Sequence, residues 1–535
     1  MDLNGLQNHL TVERPVSLRR PGAILLISCY ELGHQPVGIA QPMGFLEQAG
    51  YAPAALDIAV DPFDAERAKQ AQFIGISVPM HTALRLGVRV AELVRDLNPA
   101  CHICIFGLYA SINAEYLLSR VADSVIGGEY ETSLVNLVNA LERNPLAIRS
   151  LSQVKEDQVP NELPVLDGIS LRGRIVSPSL KRFPVDAPAP SRTKLPALTR
   201  YAHLEYRGME QVAGYVEASR GCLHTCLHCP IVPVYEGRFF LTPEHVVLQD
   251  IRQQVAAGAT HITFGDPDFL NGPGHSLSIV RAMHEEFPHL SFDFTAKIEH
   301  LLKRRTIVPE LAALGCLFVI SAVESFSDVV LTRLKKGHTA ADVVTALDIL
   351  RASGITLRPS FVAFTPWTTL DDYADMFDIV ETHDLIEAID PVQYAIRLLI
   401  PPGSALLSQA EPRLSFETSV GPLDQAGFQY HWTHPDPRMD QLHRDIGSAV
   451  EEAAKAGEDP LATFSRLRTM TYRMAGRHAP GAQQPSRRSQ QSRPPRMSEP
   501  WFCCAEPTRE QFVTLQPAVH HNADSSGSRR GGGRA

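Results

Sequence analysis

The segment Ser219-Arg220-Gly221-Cys222-Leu223-His224-Thr225-Cys226-Leu227-His228-Cys229-Pro230 sets the tightest limit on what this chain can become. Its three cysteines are spaced C-x3-C-x2-C and follow directly on a predicted strand, Tyr215–Ser219. The fold must therefore present three thiols together at the end of a strand. Thiolates are soft ligands that select iron–sulfur clusters, zinc or Cu(I). A 4Fe–4S cube bound by three thiolates keeps one iron open to a cofactor or substrate. A structural zinc site takes four ligands, usually from C-x2-C pairs. His224 or His228 would supply the fourth, so zinc stands as the alternative.

The remaining cysteines are Cys29, Cys101, Cys104, Cys316, Cys503 and Cys504, which makes nine in 535 residues. An odd, sparse and clustered set argues against a disulfide framework and for metal or redox chemistry. Cys101 and Cys104 form a C-x2-C without a second pair and read as core thiols. At 44% hydrophobic and 20% charged, the chain has enough apolar content to bury a core. Its net charge, 50 − 59 = −9, provides no global basic field for nucleic acid. No apolar run approaches the ~18 residues of a membrane span. Met1–Pro15 carries Asp2 and Glu13 and no apolar h-region of a signal peptide. The expectation is a cytoplasmic protein with neither nucleic-acid nor membrane partners.

Short apolar runs (Ala23–Ser28, Ala54–Ile58, Phe73–Ser77, Ile103–Phe106, Ser124–Ile126) alternate with the helical stretches Val37–Ala49, Met80–Leu97 and Tyr130–Leu141. This rhythm predicts an α/β fold, a doubly wound parallel sheet over 21–143 behind an N-terminal arm (1–20). Residues 144–211 are proline-punctuated and read as a linker. The βα rhythm returns over 212–407, with strands expected at Tyr215–Ser219, His261–Gly265, Ser291–Thr295, Leu317–Ala322, Leu357–Phe364 and Val392–Leu399. Helices are expected at Pro243–Ala257, Ser276–Phe287, Ala340–Ser353 and Leu370–His383. Six such units predict a partial barrel with chemistry at the C-terminal strand ends. A short helical region (408–475), a flexible Pro/Gln/Ser/Arg-rich tether (476–499), a Trp-Phe-Cys-Cys-Ala-Glu-Pro motif (500–516) and a disordered tail (517–535) complete the reading.

The cysteine loop after the first barrel strand resembles the hallmark of the radical SAM superfamily. That resemblance implies a partial (β/α)6 barrel, with Cys222, Cys226 and Cys229 binding a 4Fe–4S cluster and S-adenosylmethionine (SAM) chelating its fourth iron. Reductive cleavage of a sulfonium C–S bond then makes a carbon radical, usually 5′-deoxyadenosyl. Phe264-Gly265-Asp266-Pro267-Asp268-Phe269 ends the second strand where the family holds the SAM amino group, which implies roles for Asp266 and Asp268. Ser321-Ala322-Val323-Glu324-Ser325 is similar to a G-x-E-S pattern near SAM, with Ala322 in place of glycine, and implies Glu324 and Ser325. Lys335-Lys336-Gly337-His338-Thr339 looks like the helix-entry turn that often follows. Arg397, on the last strand, suits either a cofactor carboxylate or a structural salt bridge. Lys297 and Glu299 are expected at the same mouth.

Residues 21–143 resemble the cobalamin-binding domain that precedes many such barrels. The segments that carry this are His34-Gln35-Pro36-Val37-Gly38-Ile39-Ala40, Ala49-Gly50-Tyr51, Ile74-Gly75-Ile76-Ser77 and Val125-Ile126-Gly127-Gly128-Glu129. No D-x-H-x-x-G offers a lower cobalt ligand, and Gly107-Leu108-Tyr109 replaces the usual glycine pair. Cobalamin held without a protein ligand and an empty structural relic are both open. Cys503-Cys504-Ala505-Glu506-Pro507, with Pro230-Ile231-Val232-Pro233-Val234-Tyr235-Glu236-Gly237-Arg238-Phe239, resembles the CUAEP/CCAEP-tail radical SAM group, which includes the arsinothricin-biosynthesis type.

A vicinal dithiol suits trivalent arsenic as a soft ligand pair. The expected activity is therefore SAM cleavage with formation of a carbon–heteroatom bond. The favoured form is transfer of the 3-amino-3-carboxypropyl group to arsenic, with Cys503 and Cys504 as the candidate catalytic pair presenting the acceptor. The expected partners are a small-molecule or metalloid acceptor and an electron donor such as flavodoxin or ferredoxin. The alternatives are a cobalamin-dependent radical SAM methyltransferase and a non-catalytic iron–sulfur or metalloid sensor.

Overall fold

The computed structural model describes residues 17–143, 166–407, 420–478, 493–499 and 511–512. The apolar runs of the first third become β1 (Ile24–Ser28), β2 (Ala54–Asp57), β3 (Phe73–Ser77), β4 (His102–Phe106) and β5 (Ser124–Ile126), all parallel, in the order β2-β1-β3-β4-β5. Continuous apolar strands form because both faces are covered. Ile24 and Leu26 face one core, with Ile39, Met43 and Leu137, while Leu25 and Ile27 face the other, with Ala83, Val90 and Leu117. Helices Val37–Gln48 and Glu131–Arg143 lie on the first face, and His81–Leu97 on the second. Cys104 belongs to one core and Cys101 to the other, so that C-x2-C is not a pair.

The described part of the expected linker packs against both sheets. It adds β6 (Ile169–Leu171) antiparallel to β5 and opens the second sheet with β7 (His203–Tyr206). The prolines fit between these strands, where no ladder hydrogen bond is lost. Buried Arg192 then fastens the segment. It donates to both oxygens of Asp250 (2.6 and 2.8 Å), to the Tyr215 carbonyl (2.7 Å) and to Gln35 Oε1 (3.0 Å).

The second sheet is built on β8 (Met209–Val216). After it comes a short antiparallel pair, β9 (Ser219–Gly221) and β10 (Phe239–Leu241), enclosing the cysteine loop. Strands β11 (His261–Phe264), β12 (Ser291–Thr295), β13 (Cys316–Glu324) and β14 (Thr356–Phe361) then join β8 in one parallel series. Helices Glu244–Ala256, Pro273–Glu286, Ala340–Ala352 and Leu370–Thr382 cover the outer face. The last two begin on capping boxes, Thr339 with Asp342 and Thr369 with Asp372.

The expected sixth strand, Val392–Leu399, is reduced to a 3-10 turn, Pro391–Ala395, and a single bridge between Phe364 and Arg397. A C-terminal hairpin diverts it. In β15 (Val420–Asp424) and β16 (Gln429–Trp432), Trp432 Nε1 donates to the Leu398 carbonyl at 2.9 Å and Tyr430 N to the Ile400 carbonyl at 2.8 Å. Two helices follow, Pro437–Ala456 and Pro460–Ala475, in the expected helical region. Each has an aspartate N-cap, a proline in its first turn and a glycine at positive φ after its last turn.

The expected tether also ends in order. In β17 (Arg496–Met497) the chain pairs antiparallel with β7, and Tyr30 Oη donates to Glu499 Oε1 at 2.9 Å. Cys503 and Cys504 lie outside the described residues. Among the described residues no helix is long and apolar enough to cross a membrane.

Candidate active site at the cysteine loop

The loop begins where β9 ends at Gly221, whose φ is +75°. A β-carbon there would meet the Arg238 carbonyl and the Tyr235 ring at 2.5 Å each, so glycine is required on space as well as on conformation. Cys222 N donates to that same Arg238 carbonyl (3.0 Å), which brings the two ends of the loop together. Cys226 is buried, and Cys222 and Cys229 are partly buried. All three are free thiols. Burial pushes Cys222 up to about 11 and Cys229 up to about 12, so both hold their protons until a metal displaces them. Among the described residues only one trio of His, Cys, Asp or Glu ligand atoms lies within 4.8 Å of one another, and it does not include these sulfurs. Four ligands 2.3 Å from one zinc would place sulfurs roughly 4 Å apart. The three sulfurs are not all gathered within 4.8 Å of one another.

The strand ends close around the loop. At the end of β13, Glu324 has a φ of +66°, a costly conformation for a residue with a side chain. Its Oε1 lies 3.1 Å from both His228 Nε2 and Lys336 Nζ. Burial raises this carboxyl, but Lys336 and then His228 outweigh it and hold the group down at about 2. Ser325 Oγ accepts from Ser327 N (3.0 Å). After β11, Asp266 accepts from Ala218 N (2.9 Å) and Ser219 Oγ (2.5 Å), bracing the entry to β9, and burial lifts it to about 7. Asp268 Oδ1 accepts from Leu270 N at 3.0 Å. Its Oδ2 meets His300 and lies near His224. Lys297 and Glu299 pair at 3.5 Å beside His224.

Of the residues expected to meet SAM, Asp268 and Glu324 border the loop, through His224 and His228, and Ser325 follows Glu324 directly. Arg397 turns away from it, with Nη1 on Asp440 (2.8 Å), Nη2 donating to the Trp432 carbonyl (2.7 Å), and its guanidinium 3.6 Å from the centre of the Trp432 ring. Of its two sequence readings, this is the structural salt bridge. Sequence reasoning missed His300 and Asn271. Asn271 Oδ1 accepts from Leu223 N (3.3 Å) and lies 4.0 Å from Cys222 Sγ. Neither residue stands in a motif, and only the turns after β11 and β12 bring them to the loop.

The N-terminal sheet meets the same loop. Tyr235 Oη donates to Glu129 (2.8 Å), and buried Arg220 pairs with Glu131 (2.5 Å) and Glu217 (2.7 Å). His34 stacks on Tyr215 with centroids 4.6 Å apart. The glycine-rich segments expected to admit a large cofactor are lined by the chain itself. β-carbons at Gly127 and Gly128 would strike Ser111 and Ser179, and one at Gly38 would strike Glu31 and Ser77.

Residues 216–379 match the radical SAM superfamily. Over 366 residues the chain is 23% identical to a tRNA-2-methylthio-N(6)-dimethylallyladenosine synthase of Corynebacterium glutamicum, covering 63% of this chain and 58% of that protein. Over 319 residues it is 22% identical to an uncharacterised methyltransferase of Pyrococcus horikoshii, covering 58% and 64% respectively. The chain thus spans about three-fifths of the length of these curated relatives. Its fold is similar to that of the cobalamin-dependent SAM radical enzyme OxsB with aqua-cobalamin bound (TM-score 0.61, 17% identity, 80% of this chain and 67% of that one). It is also similar to that of the radical SAM methyltransferase TsrM of Kitasatospora setae, solved with a tryptophan substrate and a SAM analogue (TM-score 0.53, 17% identity, 68% and 71%).

Proposed function

We propose that this chain, which carries a radical SAM domain over 216–379, is a transferase that moves a SAM-derived group to a small-molecule or metalloid acceptor. The observation that carries this reading is the set of three free thiols, spaced C-x3-C-x2-C, on one loop at the C-terminal edge of a parallel sheet. Cys222, Cys226 and Cys229 are the proposed cluster ligands. A 4Fe–4S cluster with an open iron supplies the electron that breaks a sulfonium C–S bond of SAM. Glu324, Ser325 and Asp268 border the space beside it. Asp266 is a positioning residue, holding Ala218 N and Ser219 Oγ at the entry to β9, whereas Arg397 is paired with Asp440. A flavodoxin- or ferredoxin-type donor is the matching reductant.

At finer grain the reading is transfer of the 3-amino-3-carboxypropyl group to trivalent arsenic, with Cys503 and Cys504 presenting the acceptor. Its support is the affinity of adjacent thiols for a soft metalloid. A second reading, cobalamin-dependent methyl transfer, draws on the parallel N-terminal sheet that meets the cysteine loop and on the likeness of the whole fold to OxsB.

Mass spectrometry of SAM-derived products from anaerobic, reduced protein, with and without arsenite, tests these readings. Arsenite-dependent methylthioadenosine with an aminocarboxypropyl arsenical is the result expected for the first. A corrinoid absorbance band in the purified protein, with methylated product, would replace it with the second. No SAM turnover under reductant would overturn both and return the chain to the sensor alternative. Cys222→Ala should abolish every one of these products.

A further inference from the structure

His224, inside the cysteine loop, does not turn toward the thiols. It joins Asp268, on the turn after β11, and His300, in the first turn of the helix Ile298–Lys303 that follows β12. Each residue offers one ligand atom, and these atoms lie within 4.8 Å of one another. His300 Nδ1 is 2.8 Å from Asp268 Oδ2, and His224 Nε2 is 3.7 Å from that same oxygen. The two imidazoles stand 4.5 Å apart, tilted by 56°.

The 2.8 Å approach lacks hydrogen-bond alignment, and both His300 Nδ1 and His224 Nε2 are buried with no hydrogen-bond partner. Asp268 is fully enclosed and His300 is only 9% exposed. Leaving two such nitrogens unpaired costs on the order of 1–3 kcal/mol each. Among the described residues the only ion-pair partner near either nitrogen is the Asp268 carboxylate, so both rings converge on one oxygen. Ligands about 2.0–2.2 Å from one metal lie roughly 3–3.5 Å apart, which is close to the spacing here.

We propose that His224, Asp268 and His300 form a binding site for one divalent transition-metal cation, distinct from the three thiols. Two imidazoles and a carboxylate suit Mn(II), Fe(II), Co(II) or Zn(II), and leave positions for water or for an oxygen or nitrogen donor of a bound small molecule. The surroundings have the form of an outer shell. Asp268 Oδ1 accepts from Leu270 N and Oδ2 from Lys297 N (3.3 Å), and these two bonds aim the carboxylate so that Oδ2 also faces the two rings. Glu299 Oε2 lies 3.6 Å from His224 Nδ1, the carboxylate-behind-histidine arrangement that fixes a ligand's tautomer. The ammonium of Lys297 is paired with Glu299 at 3.5 Å. The site ties the cysteine loop to the turns after β11 and β12 and puts a Lewis acid at the edge of the reaction space.

The test uses full-length, anaerobically purified holoprotein, treated with chelator and titrated with Mn(II). Manganese favours nitrogen and oxygen donors over thiolates, so it leaves a cluster undisturbed. Free Mn(II) is counted by its EPR signal, and iron and sulfide are assayed in parallel. One bound manganese per chain is expected. His300→Gln and Asp268→Asn should weaken binding by more than tenfold, and Glu299→Gln by about tenfold, with iron and sulfide unchanged. If wild-type protein binds no more Mn(II) or Zn(II) than the His300→Gln variant, the trio is a proton-sharing contact and the proposal fails. Absent iron and sulfide would overturn the cluster assignment instead, since the manganese count is read independently.

Discussion

Glu31 and Glu324 show how far surroundings move one side-chain type. Glu324 is held low by Lys336 and His228, whereas Glu31 has no cation bonded to it. Burial drives Glu31 up to about 8, against hydrogen bonds of 3.1 Å from Gly38 N to each carboxylate oxygen. Glu217 and Asp57 add to the rise, and Arg192 opposes it. A folded-state value above the unfolded one means that the native state binds the extra proton between the two. Stability from this group is therefore complete below pH 4.5 and is lost as pH rises through about 8. The denaturation midpoint should fall between pH 5 and 8. In Glu31→Gln, whose carboxamide oxygen still accepts from Gly38 N, that fall should flatten. An equal slope in both proteins would remove Glu31 as its source.

At the scale of elements, the short β9–β10 pair does most to place the thiols. Gly221→Ala puts a side chain into a left-handed conformation and against the Arg238 carbonyl. The cost is at least about 1–2 kcal/mol, falling on the loop rather than on either core. Iron per chain after anaerobic reconstitution should drop severalfold while the far-ultraviolet circular dichroism stays as in wild type. This pair also shows where legibility in the sequence ends. The parallel strands and their helices were readable because fully buried strands are continuously apolar and their helices carry caps. The C-x3-C-x2-C loop was readable because it is local. β6, β7 and β17 were not, because Ile169–Leu171 and Arg496–Met497 are short, and pairing with a distant partner rather than their own pattern makes them strands. The loss of the sixth strand follows from Trp432 and Tyr430, more than 30 residues away. His300 joins His224 and Asp268 only through the packing of three separate turns.

Buried charges span the seam between the two sheets. Arg192 links Asp250 beneath the second sheet to Gln35 of the first, and Arg220 links the cysteine loop to Glu131. Removing one partner of a buried pair costs about 3–5 kcal/mol, because the other charge is left unpaired. Arg192→Ala should therefore turn one cooperative unfolding transition into two, the first reported by loss of iron–sulfur absorbance. A single transition with an unchanged midpoint would mean that the sheets are coupled elsewhere.

Cys29, Cys101, Cys104 and Cys316 are sealed in the cores, and burial pushes the thiols of Cys29, Cys104 and Cys316 to values at which almost no thiolate forms near neutral pH. Alkylating reagents attack the thiolate. Brief iodoacetamide treatment of native, iron-stripped protein near neutral pH should leave these four unlabelled, whereas Cys222 and Cys229, partly exposed on their loop, should react slowly there and faster as the pH rises. Adducts at Cys222 and Cys229 then report whether those two sulfurs are free, and chemical footprinting becomes a direct assay of occupancy at the loop.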